Sequence, residues 1–470
     1  MRKTKIICTM GPAVDSDEMI EALIKAGMDC ARFNFSHGDH AEQKARIKRV
    51  RKISAKLKTF VAILLDTKGP EIRLKDFENG RVTLTEGQEF ILDNDQETPG
   101  NEKRCGISYP DLCKCVEPGT KILIDDGKIA MEVKKTTNDS IISVVLNGGE
   151  VSNHKSLNVP DVSIPMEFIS ETDRSDLLFG IEEGIDFVAA SFTRSATDVN
   201  EVRKLLDDNG GSKIKIISKI ENKQGIDNLQ DIVDASDGIM VARGDMGVEL
   251  EFEKVPAVQK RIISSCNAAG KIAVTATQML DSMISNPRPT RAEVSDVANA
   301  VYDETTAIML SGETAAGKYP IEAVTAMAKI AEETEKSINY NTTKRRNACM
   351  VARDRGTTLC KSATIAAMEL DAKAIVVKTI SGYTARVVSE FRPSCPIIAL
   401  TVDAVGRDQL KLAWGVDPYP SIMISDADEL FADAEEKVLN EKILKKGDIV
   451  VIIAGTGHDG VSDTMRIVQL

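Results

Sequence analysis

The stretch IISKIENKQG, residues 216–225, ends an aliphatic run with a lysine and a glutamate one residue apart. In an extended strand alternate side chains share a face, so Lys219 and Glu221 point one way and Ile220 points into the opposite layer. The same pattern recurs elsewhere. RFNFSHG carries Arg32, Asn34, Ser36 and His37; DTKGPEIR carries Asp66, Thr67, Lys68, Glu71 and Arg73; ARGD carries Arg243 and Asp245. ATQ carries Thr277 and Gln278, and SGE carries Ser311 and Glu313. Each follows a short buried-looking run. Any single Lys/Glu pair reads most simply as a structural ion pair. Many such ends on one face are harder to dismiss, because unpaired ions in a partly buried cavity cost several kcal/mol each.

The residue types suggest what such a face would bind. Glu221 and Asp245, at the ends of neighbouring strands, can jointly hold one hard cation, since Mg²⁺ takes one or two carboxylates and keeps its other positions for water and substrate oxygens. Lys219, Arg32 and Arg73 supply positive charge toward an anion, arginine being suited to bidentate phosphate or carboxylate contact. Metal, lysine and arginine together are the equipment for stabilising a transferring phosphoryl group. Gly244 and Gly247 sit at a strand-to-helix turn, where backbone N–H groups can meet an anion. A Schiff-base lysine is the competing use of Lys219, but it needs a depressed pKa, and neighbouring carboxylates favour the charged form.

Strands that deliver these ends are predicted at Lys5–Thr9, Cys30–Asn34, Val61–Asp66, Phe187–Ser191, Lys215–Ile220, Gly238–Ala242, Ile272–Thr275 and Ala307–Leu310. Segments such as SDEMIEALIKAG and ATDVNEVRKLLDDN follow them at helical spacing, the pattern of strand–helix–strand crossovers. The fold class is α/β, a (β/α)₈ TIM barrel. Residues 1–70 and 168–342 form the barrel, and residues 71–167, with short alternating runs and Gly, Asp and Asn turns, form an inserted β-rich lid domain hinged near Pro70, Pro160 and Pro165. NYNTTKRRN is polar, basic and aperiodic and is assigned as a linker to a C-terminal α/β domain over 343–470, with strands in AIVVKT, PIIALT and DIVVIIAG.

Composition bounds the function. A length of 470 residues requires more than one core, and a net charge of -12 disfavours nucleic acid as a partner. Nine scattered cysteines and no CxxC fit a reducing, cytoplasmic location; the four histidines, apart from His37 and His40, are too dispersed for a zinc site. No signal peptide or membrane span is predicted. GETAAGKY resembles a phosphate-binding loop but has Tyr319 where a hydroxyl would bind Mg²⁺. The RGD tripeptide is read as chance. TRAE, from Thr290 to Glu293, is a capping box, and Arg288 and Arg291 beside it are candidates for a subunit contact.

Taken together, KIICTMGPA, ARFNFSHG, LLDTKGPEIR, IISKIENKQG, GIMVARGDMGVE, TATQMLDSMISNPRPTRAEVSDVANAVYD and IMLSGETAAGKYP resemble pyruvate kinase along the whole chain. The resemblance implies phosphoryl transfer from phosphoenolpyruvate to ADP, giving pyruvate and ATP. It implies Mg²⁺ (or Mn²⁺) on Glu221 and Asp245, and K⁺ on Asn34, Ser36, Asp66 and Thr67, with Glu71 the residue type of K⁺-dependent members. Lys219 and Arg32 would stabilise the phosphoryl group, and Gly244, Asp245 and Thr277 would contact substrate. Asn34, His37, Arg73 and Lys155 would meet nucleotide or phosphate. Ser311 and Glu313 would relay the proton to the enolate. Thr379, Ser381, Gly382 and Thr384 would form an anion-binding loop for a phosphorylated effector, against a simpler reading as a helix cap. A homotetramer is also implied. The closing AGTGHDGVSDTMRIVQL lacks the Trp and Arg found there in some fructose-1,6-bisphosphate-regulated members, which leaves the effector open. Two other functions stay in play: a metal-dependent lyase or aldolase, which would need no nucleotide, and a silent metabolite sensor.

Overall fold

The computed structural model describes residues 1–455 and 462–470. Eight parallel strands close a barrel in chain order: β1 (Lys5–Thr9), β2 (Cys30–Asn34), β3 (Ala62–Asp66), β4 (Phe187–Ala190), β5 (Lys215–Ile220), β6 (Gly238–Ala242), β7 (Ile272–Ala276) and β8 (Ala307–Leu310). β8 pairs with β1 to complete the ring, Lys5 opposite Ala307. The predicted strands differ from these by one residue at most, at β3, β4 and β7.

Both faces of these strands are buried, and the period of two sorts their side chains into separate cores. Ile6, Ala31, Ile63, Val188, Ile216 and Ile220 face outward against the helices. Ile7, Cys30, Leu64, Ala189, Ile217 and Met240 fill the barrel interior. Leu412, from the C-terminal part of the chain, joins that interior cluster.

Between β3 and β4 the chain builds a seven-stranded and a two-stranded sheet. Their strands run from Ile72–Arg73 to Ser156–Asn158 and enclose a core of their own around Phe90, Ile122, Met131 and Ile141. Asn158 Nδ2 donates to Glu249 Oε1 (3.1 Å), and Lys223 pairs with Asp161 (2.6 Å), so the inserted sheets dock beside the ends of β5 and β6.

The C-terminal part forms a five-stranded sheet in the order Val416–Pro420, Ile397–Thr401, Ala374–Thr379, Ile449–Ala454, Thr464–Gln469, the last strand antiparallel. Two of these strands have no counterpart in the sequence reading. Val416–Pro420 contains two prolines and lies at a sheet edge, where a missing N–H is tolerated. The assigned linker NYNTTKRRN is instead mostly helix, Tyr340–Cys349. Its stability comes from docking: Asn347 Nδ2 donates to Phe391 O (2.6 Å), and Lys3 Nζ donates to the Tyr340 hydroxyl (2.6 Å). The capping box at Thr290 is present, with the Thr290 side chain and Glu293 each serving the other's backbone N–H.

Candidate functional site

One strand period above the interior layer of Cys30, Leu64, Ala189 and Ile217, the inward positions carry Arg32, Asp66, Ser191 and Lys219. The apolar filling of the barrel thus gives way to charge at the C-terminal ends of the strands, the face where barrel enzymes do their chemistry. Lys219 Nζ lies 2.8 Å from Ser191 Oγ, 3.2 Å from Asp66 Oδ1 and 3.0 Å from Glu221 Oε1. Arg32 Nε donates to Asp66 Oδ2 (2.5 Å), and its Nη1 donates to Thr9 Oγ1 (2.8 Å). Asp66 is therefore clamped between two cations. Its burial would raise its pKa, but Arg32 and Lys219 outweigh that and hold it below the usual carboxylate range. Burial alone would discharge Lys219; Asp66 and Glu221 prevail and keep it an ammonium ion.

Glu221 is fully buried. Its Oε2 accepts the Phe192 N–H (2.6 Å), but the Lys219 contact at Oε1 lies outside hydrogen-bond geometry, so that oxygen has no hydrogen-bond partner. Burial pushes the carboxyl up to about 7, with Lys219 opposing the shift and Asp245 adding to it. Asp245, in the first turn of the helix Arg243–Glu249, lines the same cavity. A buried carboxylate oxygen without a hydrogen-bond donor, beside a second carboxylate, fits a hard cation such as Mg²⁺, which takes one or two protein carboxylates and completes its oxygen shell from water and substrate.

The cavity measures about 300 Å³ and is overwhelmingly polar in its lining. Asn34, Ser36 and Thr67 form one wall; Asp66 stands behind them with both oxygens engaged. Asn34 Oδ1 accepts the Ser36 N–H (3.1 Å). His37 is exposed at the rim. Arg73 is oriented by Glu71 (2.7 Å) and by donation to His154 O (2.7 Å). Lys155, from the inserted sheet, pairs with Asp125 (2.8 Å) and closes the far side.

Other predicted residues stand apart from this cavity. Thr277 adopts a left-handed backbone (φ 64°), and its Oγ1 accepts the Gly244 N–H (2.8 Å). That N–H is thus already committed, so Gly244 does not offer the free anion-binding donor expected from its turn. Arg243 is likewise occupied, pairing with Asp296 (2.7 Å) and donating to Thr277 O (2.7 Å). Glu313 accepts the Ser311 N–H (2.7 Å) and the Leu280 N–H (3.1 Å), and burial raises its pKa; Ser311 Oγ is buried without a partner. GETAAGKY forms a short helical turn, Gly312–Ala315, rather than a phosphate cradle.

In the C-terminal sheet Thr379 Oγ1 accepts the Gly382 N–H (3.2 Å), and Thr384 Oγ1 shares a hydrogen bond with Ser462 Oγ (2.7 Å). Thr379 and Thr384 line a cavity of about 270 Å³, whereas Ser381 and Gly382 do not. Its walls are largely aliphatic, and its Lys378 is already paired with Asp433. Residues 456–461 of the closing segment, including His458, lie outside the described residues.

Ser191 is the functional-site residue absent from the sequence reading. It directly follows β4 at the inward parity of Phe187 and Ala189, so the alternation used for Lys219 would have found it. Asp125 and Asp126 also line the cavity, both with positive φ (52° and 56°), but their approach depends on how the inserted sheet docks.

Fold and cavity together define a barrel enzyme with a strongly polar, charge-lined site at the C-terminal ends of its strands. Residues 1–324 match the family model "Pyruvate kinase, barrel domain", and residues 357–468 match "Pyruvate kinase, alpha/beta domain". The chain belongs to the pyruvate kinase family. It is 49% identical over 469 residues to a pyruvate kinase of Clostridium acetobutylicum, covering 99% of each chain, and 48% identical to one of Bacillus licheniformis, covering 99% of this chain and 80% of that one. The crystal structure of a pyruvate kinase from Cryptosporidium parvum superposes with a TM-score of 0.94 at 39% identity, over 100% of this chain and 96% of that one.

Proposed function

We infer that this chain transfers the phosphoryl group of phosphoenolpyruvate to ADP, giving pyruvate and ATP, the final step of glycolysis. The observation that carries this is the buried cluster in which Arg32 and Lys219 flank Asp66 while Glu221 and Asp245 face the same cavity. Mg²⁺ (or Mn²⁺) held by Glu221 and Asp245 would bring substrate oxygens together and neutralise charge developing on them. Lys219 and Arg32, fixed by Asp66 and Ser191, present positive charge that needs no rearrangement as the phosphoryl group moves. Asn34, Ser36 and Thr67, with Asp66 behind them, would supply oxygen donors for K⁺. Arg73, His37 and Lys155 reach for nucleotide phosphates, the last from an inserted domain (71–167) that acts as a lid. Thr277, Ser311 and Glu313 serve the enolate end, Glu313 by setting the Ser311 backbone and leaving its orphaned hydroxyl to hold a proton-carrying water.

Beyond the reaction we assign residues 343–470 to assembly and regulation, with a homotetramer and a phosphorylated effector at Thr379–Thr384. The location is cytoplasmic; no helix among the described residues is long and apolar enough to cross a membrane.

The test is pyruvate formation from phosphoenolpyruvate and ADP with Mg²⁺, with and without K⁺. Activity that requires K⁺ supports both the reaction and the Asn34–Thr67 wall. K⁺-independent activity keeps the reaction and removes that assignment. No turnover by folded protein overturns the function and returns the lyase and sensor readings.

A further inference from the structure

At the opposite end of the barrel from the reacting cavity, a cleft of about 450 Å³ opens between the N-terminal ends of the strands and the helix Tyr383–Glu390. The barrel wall contributes Lys215, Asp237 and Lys271, and the C-terminal wall contributes Arg353, Arg386, Glu390 and Arg392. Its carboxylates are spoken for: Asp237 pairs with Lys215 (2.8 Å) and Glu390 with Arg353 (2.6 Å). Among the described residues Lys271, Arg386 and Arg392 make no ion pair at contact distance, although Glu390 lies near enough to act on Lys271 and Arg386, and Asp237 on Arg386.

Each of these cations is incompletely satisfied in a different way. Lys271 Nζ donates to the Ser236 carbonyl (2.6 Å). The Arg386 guanidinium makes one long contact with Ser381 O (3.4 Å), and burial lowers its pKa. Arg392 is only 7% exposed; its Nη2 reaches Glu304 O (2.8 Å) and Asn267 Oδ1 (3.1 Å), but its Nη1 is buried with no hydrogen-bond partner. A buried guanidinium nitrogen without an acceptor carries a desolvation cost that an anion would relieve. The walls between the cations are apolar and aromatic, with Phe187, Val387, Tyr383 and Trp414, and the Arg392 guanidinium lies 4.8 Å from the Trp414 ring centroid. The volume falls within the range of small-molecule sites.

We propose that this cleft binds a small anion, a phosphate monoester with a planar apolar body, whose charged end is held by Arg386, Arg392 and Lys271 and whose body lies against Trp414 and Tyr383. Because its walls come from both the barrel and the C-terminal sheet domain, the ligand grips the two parts together. It shares no lining residue with the reacting cavity or with the cavity that Thr379 and Thr384 line, although Tyr383 and the Ser381 carbonyl that Arg386 contacts belong to the Thr379–Thr384 segment between the two.

Trp414 is the single tryptophan of the chain, so its fluorescence reads this cleft directly. The full-length protein is titrated with phenyl phosphate and, separately, with inorganic phosphate. The expected result is a saturable change with phenyl phosphate, at least tenfold tighter than with inorganic phosphate and weakened tenfold or more in Arg386→Gln. Lys271→Gln, whose native side chain bonds only main-chain oxygens, gives a second variant with the same expected weakening should Arg386→Gln fold poorly. No saturable change, or an undiminished response in the folded variants, overturns the site. Equal affinity for the two probes overturns the apolar-body class of ligand.

Discussion

Lys219 and Glu221 illustrate how much chemistry a strand period can place. Their shared face follows from alternation alone, and Ile220 lies in the outer core as that alternation requires. Lys219→Met removes the ammonium but leaves Arg32 on Asp66, so the protein keeps its far-UV spectrum while kcat falls by about 10³-fold or more and KM changes little. Steady-state rates paired with circular dichroism check this split. The Glu221 carboxyl makes a second prediction. Its folded pKa of about 7 lies above the ordinary 4.5, so its stabilising contribution is complete below the unfolded value and is lost as pH rises through 7. A divalent cation takes the ionised form, so Mg²⁺ affinity should rise up to about tenfold per pH unit below 7 and level off above it. Calorimetric titration of Mg²⁺ from pH 5.5 to 8.5 measures this, and Glu221→Gln should flatten the profile.

Elements were legible where burial dictated their composition. The barrel strands are aliphatic on both faces because helices cover one side and the interior layer the other, so short apolar runs marked them almost to the residue. The helix Tyr340–Cys349 was missed because its contacts are hydrogen bonds and ion pairs made by isolated polar side chains, with only Thr343 and Asn347 buried, and such contacts leave no periodic trace. Val416–Pro420 was missed because its prolines argue against a strand anywhere but an edge. Ser191 was within reach of the same parity that revealed Lys219, whereas Asp125 and Asp126 depend on docking that no local pattern encodes. Two variants probe these elements by chemical denaturation. Thr290→Ala removes the cap of the helix Arg291–Tyr302 and should lower stability by about 1 kcal/mol. Gly11→Ala would set a Cβ 2.5 Å from Ala315 O, in backbone that cannot swing aside, and should cost about 1–3 kcal/mol through overpacking.

Across the whole molecule, the barrel and the C-terminal part are locked through the barrel's N-terminal mouth. Lys5 Nζ donates to Val416 O (2.6 Å), and Leu412 packs into the barrel interior. Leu412→Ala should destabilise the protein by about 2–5 kcal/mol, displacing the barrel transition together with that of the C-terminal sheet in a thermal scan. The pairing of β1 with β8 has a further consequence for synthesis. The first of the barrel strands to be made must wait for Ala307–Leu310 before its edge is covered, while every strand of the inserted sheets lies between Ile72 and Asn158. Since domains form as units during elongation, the inserted sheets can be complete on the nascent chain while the barrel beneath them is still open, and an early barrel fragment carries an unpaired β1 edge that invites aggregation or chaperone capture.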